Sequence, residues 1–232
     1  MLTQINEEPV NELYLNLASV ARDRSQMYQL LIAAVRYPTY ELAEALINGS
    51  FYTEANNRVN WVNVGSGIFN NPLQKLKVTV ESIKDLQPKE LLSKMEAEYS
   101  RLFLEGNQAI IPLYEASFSG CATDEISVQQ AVEEVYQAEG IVHTYEAYER
   151  ADFIGTELEH LYYLCSNEAE SWQIGKMGKA KQWKRKQRAF LVKHTGSWGG
   201  VFFTKVVNST ELDVYTAIGM LGSSFMRLER GN

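Results

Sequence analysis

Residues 98–118 read EYSRLFLEGNQAIIPLYEASF and run from the end of a predicted helix into an unusual loop. The loop carries proline, tyrosine and phenylalanine where solvated loops usually carry serine, asparagine and lysine. Loops tend to be exposed and to carry function, so an apolar, aromatic loop between two helices predicts a binding surface. A buried connection between two halves of a fold explains the same residue types, and this alternative stays open at this point.

Composition and charge limit the classes of protein that this chain can be. It has 232 residues, of which 45% are hydrophobic and 22% are charged, as is ordinary for a globular protein. Its net charge of −7 argues against general nucleic-acid binding, which usually shows a basic excess. The two cysteines, Cys121 and Cys165, match neither a disulfide framework nor a zinc pattern, and we expect both to be reduced. The first residues are acidic, whereas a signal peptide begins with basic residues. No apolar run approaches the roughly 20 residues that span a bilayer. We therefore expect a cytoplasmic protein without stable membrane insertion.

Apolar residues recur at helical spacing almost throughout the chain. They form four stripes, each with polar residues on the opposite side, as in helices that face a core. The stripes lie at residues 27–34, 128–136, 154–165 and 215–228. No stretch shows the sustained alternation of polar and apolar residues that is typical of a strand. We therefore predict an all-α fold, a single helical-bundle domain of roughly ten helices.

Prolines and one capping pattern predict where helices begin and end. Pro38 closes the first helical pattern, because the residue before a proline disfavours helical geometry. Pro72 and Pro88 can each open a helix in its first turn. Thr210 with Asp213 resembles a capping pair ahead of the last apolar stripe.

One central break and two charged runs organise the chain. We predict one domain over residues 1–232, with an N-terminal half at 13–105, a hinge loop at 106–124 and a C-terminal half at 125–230. Residues 121–160 hold ten acidic residues and one arginine, whereas residues 171–210 hold nine basic residues and no acidic one. Such asymmetry can mark partner surfaces, and two solvated helix faces that attract each other explain it as well.

Two alternative functions each rest on a single motif. Glu157 and His160 are spaced i, i+3, as are metal ligands in di-iron helical bundles, although those bundles need a second such motif. The first alternative is therefore a helical metalloprotein or enzyme that uses these two residues. The second is a helical regulator that binds nucleic acid through basic residues 176–188, which the acidic net charge disfavours. No phosphate-binding glycine loop, nucleophile elbow or Cys-x-x-Cys pair occurs, which favours a binding protein over an enzyme.

Residues 152–159 read DFIGTELE and resemble the Asp-His-Ile-Gly-x-Glu-Leu-Glu segment of the TorD/DmsD/NarJ family of chaperones. The stretch at 98–118 resembles the other signature of that family: an aromatic-x-x-Leu-Phe element, a glycine at Gly106, and a Pro-aromatic-x-x-Ser element. Residues 194–203, with Trp198, resemble its late His…Trp…Phe helix. The order and spacing of the three elements agree, and the resemblance extends over most of the chain.

This resemblance implies a function as well as an all-α fold. Members of the family are not catalysts. They bind the twin-arginine signal peptide, and often the body, of an apo-molybdoenzyme, and hold it back from export until the molybdopterin cofactor is inserted. No cofactor of the chaperone itself is implied, although weak guanine-nucleotide binding has been proposed for some members. Some members exchange helices between subunits, so a monomer and a helix-swapped homodimer both fit the sequence.

The resemblance also indicates which residues bind the signal peptide and the client. They are Tyr99, Leu102, Phe103, Pro112, Tyr114, Glu115, Ser117, Asp152, Phe153 and Glu157. The acidic run suits the arginines of a signal peptide, since arginine–carboxylate pairs are strong and specific, and the loop can hold an apolar segment. We expect Asp152 to contact arginine first and, if it lies on a helix, to share a face with Glu159 but not with Glu157. Phe153 stands where the family usually has His, and it cannot donate a hydrogen bond.

Overall fold

The computed structural model describes residues 12–59, 67–104, 109–119, 125–141 and 149–231. Over these ranges the chain forms ten α-helices and no strand, which confirms the all-α prediction. The helices are α1 (Glu12–Val35), α2 (Tyr40–Ile47), α3 (Ser50–Arg58), α4 (Asn70–Ile83), α5 (Pro88–Tyr99), α6 (Glu125–Ala138), α7 (Ile154–Gln173), α8 (Met177–Lys193), α9 (Thr195–Ser209) and α10 (Asp213–Gly231). A π-helical turn, Ser100–Leu104, continues α5, and a 3-10 turn spans Glu115–Phe118.

The core lies where the long helices pack side by side. α1 packs along α7, α9 packs along α10, and α8 lies against both α7 and α9. The apolar stripe of α7 is entirely buried, with Ile154, Leu158, Leu161 and Cys165 all at 0% exposure. The stripe of α10 is buried as far as Phe225. Periodicity in the sequence therefore predicted the core-facing sides of both helices correctly.

Most helix boundaries follow the signals in the sequence. α1 ends before Pro38, and Thr39 caps α2 by accepting a hydrogen bond from Leu42 N at 3.2 Å. Pro88 is the first residue of α5, where its missing N–H costs no hydrogen bond, and Pro72 lies in the first turn of α4. These proline predictions are confirmed.

The predicted capping pair before α10 is wrong, because Thr210 bonds elsewhere. α10 begins at Asp213, and Thr210 accepts a hydrogen bond from a backbone N–H in the turn before the helix. The Thr210 hydroxyl donates to Glu98 Oε1 at 2.7 Å, and Glu98 also accepts hydrogen bonds from Arg101 and from Glu211 N. Burial alone would raise the pKa of Glu98, but these hydrogen bonds outweigh burial and lower it to about 2. Glu98 thus ties the end of α5 to the turn before α10.

The predicted hinge loop is described only at residues 109–119. The remainder of it, with Gly106 and Cys121, lies outside the described residues, and the division of the chain into two halves stays a prediction. At its start, Ile111 N donates to Leu102 O at 2.9 Å. Leu102 belongs to the π-helical turn, and carbonyls in the last turn of a helix lack intrahelical partners. The loop is therefore anchored directly to the end of α5.

Candidate functional site

Two signatures that are distant in sequence meet at one place in the fold. The loop runs antiparallel to the residues that lead into α7, with an isolated bridge at Tyr114. Ile154 N donates to Leu113 O at 2.9 Å. Glu115 N donates to Asp152 O, also at 2.9 Å. The signatures at 98–118 and 152–159 are therefore parts of one structural unit.

Asp152 fastens the loop through its side chain. It is fully buried and precedes α7, which begins at Ile154, so the helix-face relation between Asp152 and Glu159 that we expected is wrong. Its two carboxylate oxygens accept hydrogen bonds from Arg150 Nε and Nη2, each at 2.9 Å. Oδ2 also accepts a hydrogen bond from Ala116 N at 3.3 Å. A client arginine could reach Asp152 only by displacing Arg150.

Arg150 and Phe153 position the half-buried ring of Tyr114. The Arg150 guanidinium lies over this ring, 4.5 Å from its centroid, in a cation–π contact. The buried Phe153 ring lies 6.3 Å from Tyr114 and folds against the first turn of α7. A Cβ at Gly155 would come within 2.4 Å of the Phe153 ring, so this packing requires a glycine in the first turn of α7. The glycine of the signature therefore has a local steric reason.

Glu115 and Glu157 form a buried carboxyl pair beneath the loop. Glu157 Oε2 accepts hydrogen bonds from Thr195 Oγ1 at 2.6 Å and from Trp198 Nε1 at 3.2 Å. Glu115 Oε2 lies 3.0 Å from His194 Nδ1. Burial, and next the charge of Glu115, raises the pKa of Glu157 well above its ordinary value. Glu157 thus joins α7 to the start of α9, and Glu115 joins the loop to the end of α8 through His194.

The third sequence element, at residues 194–203, thus joins the same cluster as the first two. His194 contacts the loop through Glu115, and Trp198 contacts both α7 and the loop. The Trp198 ring lies 5.0 Å from the ring of Phe118, at the end of the 3-10 turn. Sequence order alone did not predict that Glu115 and Glu157 lie in one buried cluster, because they belong to different motifs.

The predicted site residues divide into a small exposed group and a larger buried one. Three of the ten reach the surface, namely Pro112, Tyr114 and Ser117. The other seven are buried: Tyr99, Leu102, Phe103, Glu115, Asp152, Phe153 and Glu157. Buried residues can shape the surface from beneath, whereas direct contact with a client requires the loop to move. Direct contact by each of the ten stays a prediction.

Tyr99 connects the buried group to exposed aromatic surface. Its hydroxyl donates to Val35 O at 3.2 Å, which joins α5 to the end of α1. Its ring lies 5.4 Å from that of Tyr37 and 4.8 Å from that of Phe103. Tyr37 is 49% exposed, and Ile110 in the loop is 45% exposed. Tyr37 was missed in the sequence, since a single apolar residue on a surface carries no distinctive pattern, whereas Ile110 belongs to the loop that the sequence singled out.

Two glutamates of the acidic run pair with an arginine that the sequence did not connect to them. Arg36 Nη2 lies 3.1 Å from Glu149 Oε2, and Arg36 Nη1 lies 3.0 Å from Glu159 Oε1. The side chains of Glu149 and Glu159 are 16% and 33% exposed, so both carboxylates border solvent. The acidic run at 121–160 was the only signal for this cluster, because Arg36 is more than a hundred residues away in sequence.

The metalloprotein alternative depends on Glu157 and His160 acting together. The His160 ring packs between Tyr136 and Phe190, with centroid distances of 4.8 and 4.5 Å. Glu157 instead bonds to the start of α9 through Thr195. In the described part of the chain, no three His, Cys, Asp or Glu side chains are grouped as metal ligands.

Comparison with known proteins identifies the family. Residues 70–204 match the family model of the nitrate reductase delta subunit, and because this is more than half of the chain, the chain belongs to that family. The family comprises molybdoenzyme-maturation chaperones, which are not catalysts and act with molybdoenzyme subunits. No curated protein and no solved structure matches the chain. Of the helices within the described ranges, none is both long enough and apolar enough to cross a membrane.

Proposed function

We propose that this chain is a cytoplasmic chaperone for the catalytic subunit of a molybdopterin oxidoreductase. It binds the twin-arginine signal peptide and the apo-form of that subunit, and it prevents export until the cofactor is inserted. Family membership supports the class of client. The observation that carries the choice of site is the convergence of both signatures on one loop, whose half-buried Tyr114 lies between surface and core.

The apolar segment of the signal peptide binds along the exposed side chains of the loop and its neighbours. Ile110, Pro112 and Tyr114 face or border solvent on the loop, and Tyr37 does so at the end of α1. Aromatic and apolar side chains supply most of the energy in such interfaces, since they bury large areas and are already held in place. The loop is preorganised through Asp152 and Arg150, which lowers the entropy cost of binding.

The arginines of the signal peptide bind at Glu149 and Glu159. In the structure Arg36 bridges these two carboxylates, so the cluster already accommodates a guanidinium group in two ion pairs. A client arginine competes with Arg36 for the same oxygens. Asp152 is proposed as a second arginine contact, reached when Arg150 is displaced.

The test is a titration of the purified chain with a fluorescein-labelled twin-arginine signal peptide and with its twin-lysine counterpart. Lysine cannot reproduce the planar, bidentate contact of arginine, so the twin-lysine peptide binds about tenfold more weakly. Glu149→Gln with Glu159→Gln weakens binding of the arginine peptide and removes the preference for arginine. Glu44→Gln with Glu54→Gln, a double change on α2 and α3, serves as the matched control.

The variant Arg36→Gln distinguishes two roles of Arg36: it competes with the client arginine for the two carboxylates, or it holds the site in place. If the client arginine competes with Arg36, removing Arg36 strengthens binding of the arginine peptide. Weaker binding with unchanged helical circular dichroism would show that Arg36 supports the site instead. Equal affinities for the arginine and lysine peptides in the wild-type chain would overturn the proposed arginine subsite.

A further inference from the structure

Two adjoining cavities form a groove on the side of α9 that faces α8 and α10. Their volumes are about 270 and about 310 Å³. Gly196, Ser197 and Arg230 line both cavities, so the two are continuous. This α8–α9–α10 groove lies away from the site described above, because Thr195 and Trp198 on α9 point instead towards Glu157.

The floor of the groove combines apolar side chains with a buried polar patch, since Gln187 and the Arg24–Glu229 ion pair also line the first cavity. Leu191 lines the first cavity and Met226 lines the second, and both are buried. Gly200 leaves the second cavity open, since an added Cβ would touch only Met226, at 3.9 Å. Val192 and Val201 border the two cavities at 72% and 50% exposure. A groove of this kind accepts apolar side chains.

The rim of the groove is strongly basic. Lys184, Arg188, Arg227 and Arg230 line it, are exposed, and make no ion pair with any carboxylate of the described residues. The acidic side chain in the lining is Glu229, whose oxygens already accept hydrogen bonds from Arg24 at 2.7 and 2.6 Å. Four cations are therefore available around a floor whose apolar part is formed by Leu191 and Met226, in a protein whose net charge is −7.

We propose that this groove is a second docking site, which binds an acidic, amphipathic peptide segment of a partner protein. The acidic side chains of the segment pair with the rim, and its apolar side chains lie on the floor, so charge and shape are both complementary. The cations are spread over two cavities, which suits an extended chain better than a single small anion.

Other anionic partners fit the groove less well. Single-stranded nucleic acid binds where aromatic side chains stack with bases, and none of the residues that line the two cavities is aromatic. An anionic membrane is a flat surface, whereas the cations of this groove line two concave cavities. A peptide needs neither stacking nor a flat surface.

The test uses a fluorescein-labelled peptide that repeats Glu-Glu-Leu-Leu three times, titrated against the full chain at low ionic strength. Wild-type protein binds it with a dissociation constant in the micromolar range, about 1 to 100 μM. The double variant Lys184→Glu/Arg188→Glu binds it at least about tenfold more weakly, because two attractions become repulsions. Peptides that repeat Gln-Gln-Leu-Leu or Glu-Glu-Ser-Ser bind more weakly than the parent, since each lacks one of the two complementary features.

The matched control is Lys179→Glu/Lys193→Glu, which makes the same change of charge on the same helix. Lys179 and Lys193 are exposed and line neither cavity. This control keeps the affinity within about twofold of wild type, as expected for charges that act only at a distance. All four lysine and arginine positions are exposed, so both double variants fold; circular dichroism verifies this.

Three outcomes would overturn the proposal. The first is no binding of the Glu-Glu-Leu-Leu peptide to the wild-type chain, and the second is equal weakening by the groove and control variants. The third is displacement of the peptide by inorganic phosphate, single-stranded DNA or anionic vesicles at matched charge concentration, which would assign the groove to that anion. Binding of the twin-arginine peptide is unchanged in Lys184→Glu/Arg188→Glu, which keeps this test independent of the proposed function.

Discussion

The polar cluster around Arg24 and the polar cluster around Glu157 are both buried, yet they balance charge in different ways. Arg24 donates to Glu229 at 2.7 and 2.6 Å and to Glu168 at 3.3 Å, so it serves both carboxylates. Glu157 faces Glu115, and neither of the two pairs with an arginine or lysine among the described residues. The carboxylates of the first cluster are compensated by a guanidinium, whereas Glu157 in the second cluster accepts hydrogen bonds from the neutral donors Thr195 and Trp198.

The Arg24 cluster has a structural role, whereas the Glu157 cluster lies within the candidate functional site. The Arg24 cluster joins α1, α7 and α10 and is completed by hydrogen bonds from Tyr28, Trp172 and Gln187. The Glu157 cluster lies where the loop meets α7 and α9. Burial raises the pKa of Glu157 there, and carboxyl groups with strongly shifted pKa values are typical of functional sites.

The largest loss of stability is expected when the Arg24 cluster loses its cation. Arg24→Met leaves Glu168 and Glu229 buried without a counter-charge and lowers the free energy of unfolding by about 3–5 kcal/mol. Urea denaturation followed by circular dichroism measures the change. Arg58→Met is the control, since Arg58 is 28% exposed and pairs with Asp23 and Glu54 at the surface, where a change below about 1 kcal/mol is expected.

A smaller effect is expected at Glu98, a nearly buried carboxylate that is well supplied with hydrogen bonds. Its pKa is lowered to about 2 from an ordinary value of 4.5, so its contribution is fully present above pH 4.5 and is lost as the pH falls towards 2. Glu98→Gln therefore costs about 2 kcal/mol at pH 7 and progressively less below pH 4.5. A cost that stays constant between pH 7 and pH 3 would contradict the assigned pKa.

The smallest change in the free energy of unfolding is expected for Glu157→Gln, and it is a gain in stability rather than a loss. Because its pKa is raised in the folded state, the stability that it contributes is present at pH 4.5 and below and is lost as the pH rises through the folded pKa. Glu157→Gln keeps a neutral group there, so the variant gains stability relative to wild type as the pH is raised. Glu168→Gln is the control in the compensated cluster and lacks this gain, since Glu168 is paired with Arg24.

Local sequence predicted the helices well and the polar clusters poorly. The stripe at 154–165 identified the buried face of α7, and Pro88 marked the first residue of α5, because periodicity and proline geometry act within a few residues. Arg24 and Glu229 are 205 residues apart, so no local pattern reports their contact. One signal was available: Arg24 lies three residues before Met27 in the buried stripe of α1, and a charge in such a stripe predicts a buried partner.

In the candidate site too, the sequence predicted the local features and did not predict the long-range contacts. The two signatures located the loop and the start of α7, and the structure joins them through Asp152 and the backbone. Helical-wheel reasoning failed at Asp152, because α7 begins two residues later. The Arg36 bridge to Glu149 and Glu159 was not predictable, since it depends on how α1 is placed against α7.

The most direct test of the central claim is the affinity of the twin-arginine peptide for two tyrosine variants, measured by fluorescence anisotropy. Tyr114→Ala removes the ring at the centre of the proposed surface, and the peptide should bind about tenfold more weakly. Tyr163→Ala removes an exposed ring that packs on Trp183, 5.9 Å away, and should change the affinity by less than about twofold. If the two variants bind the peptide equally, with unchanged helical circular dichroism, the loop at 109–119 is not the signal-peptide site.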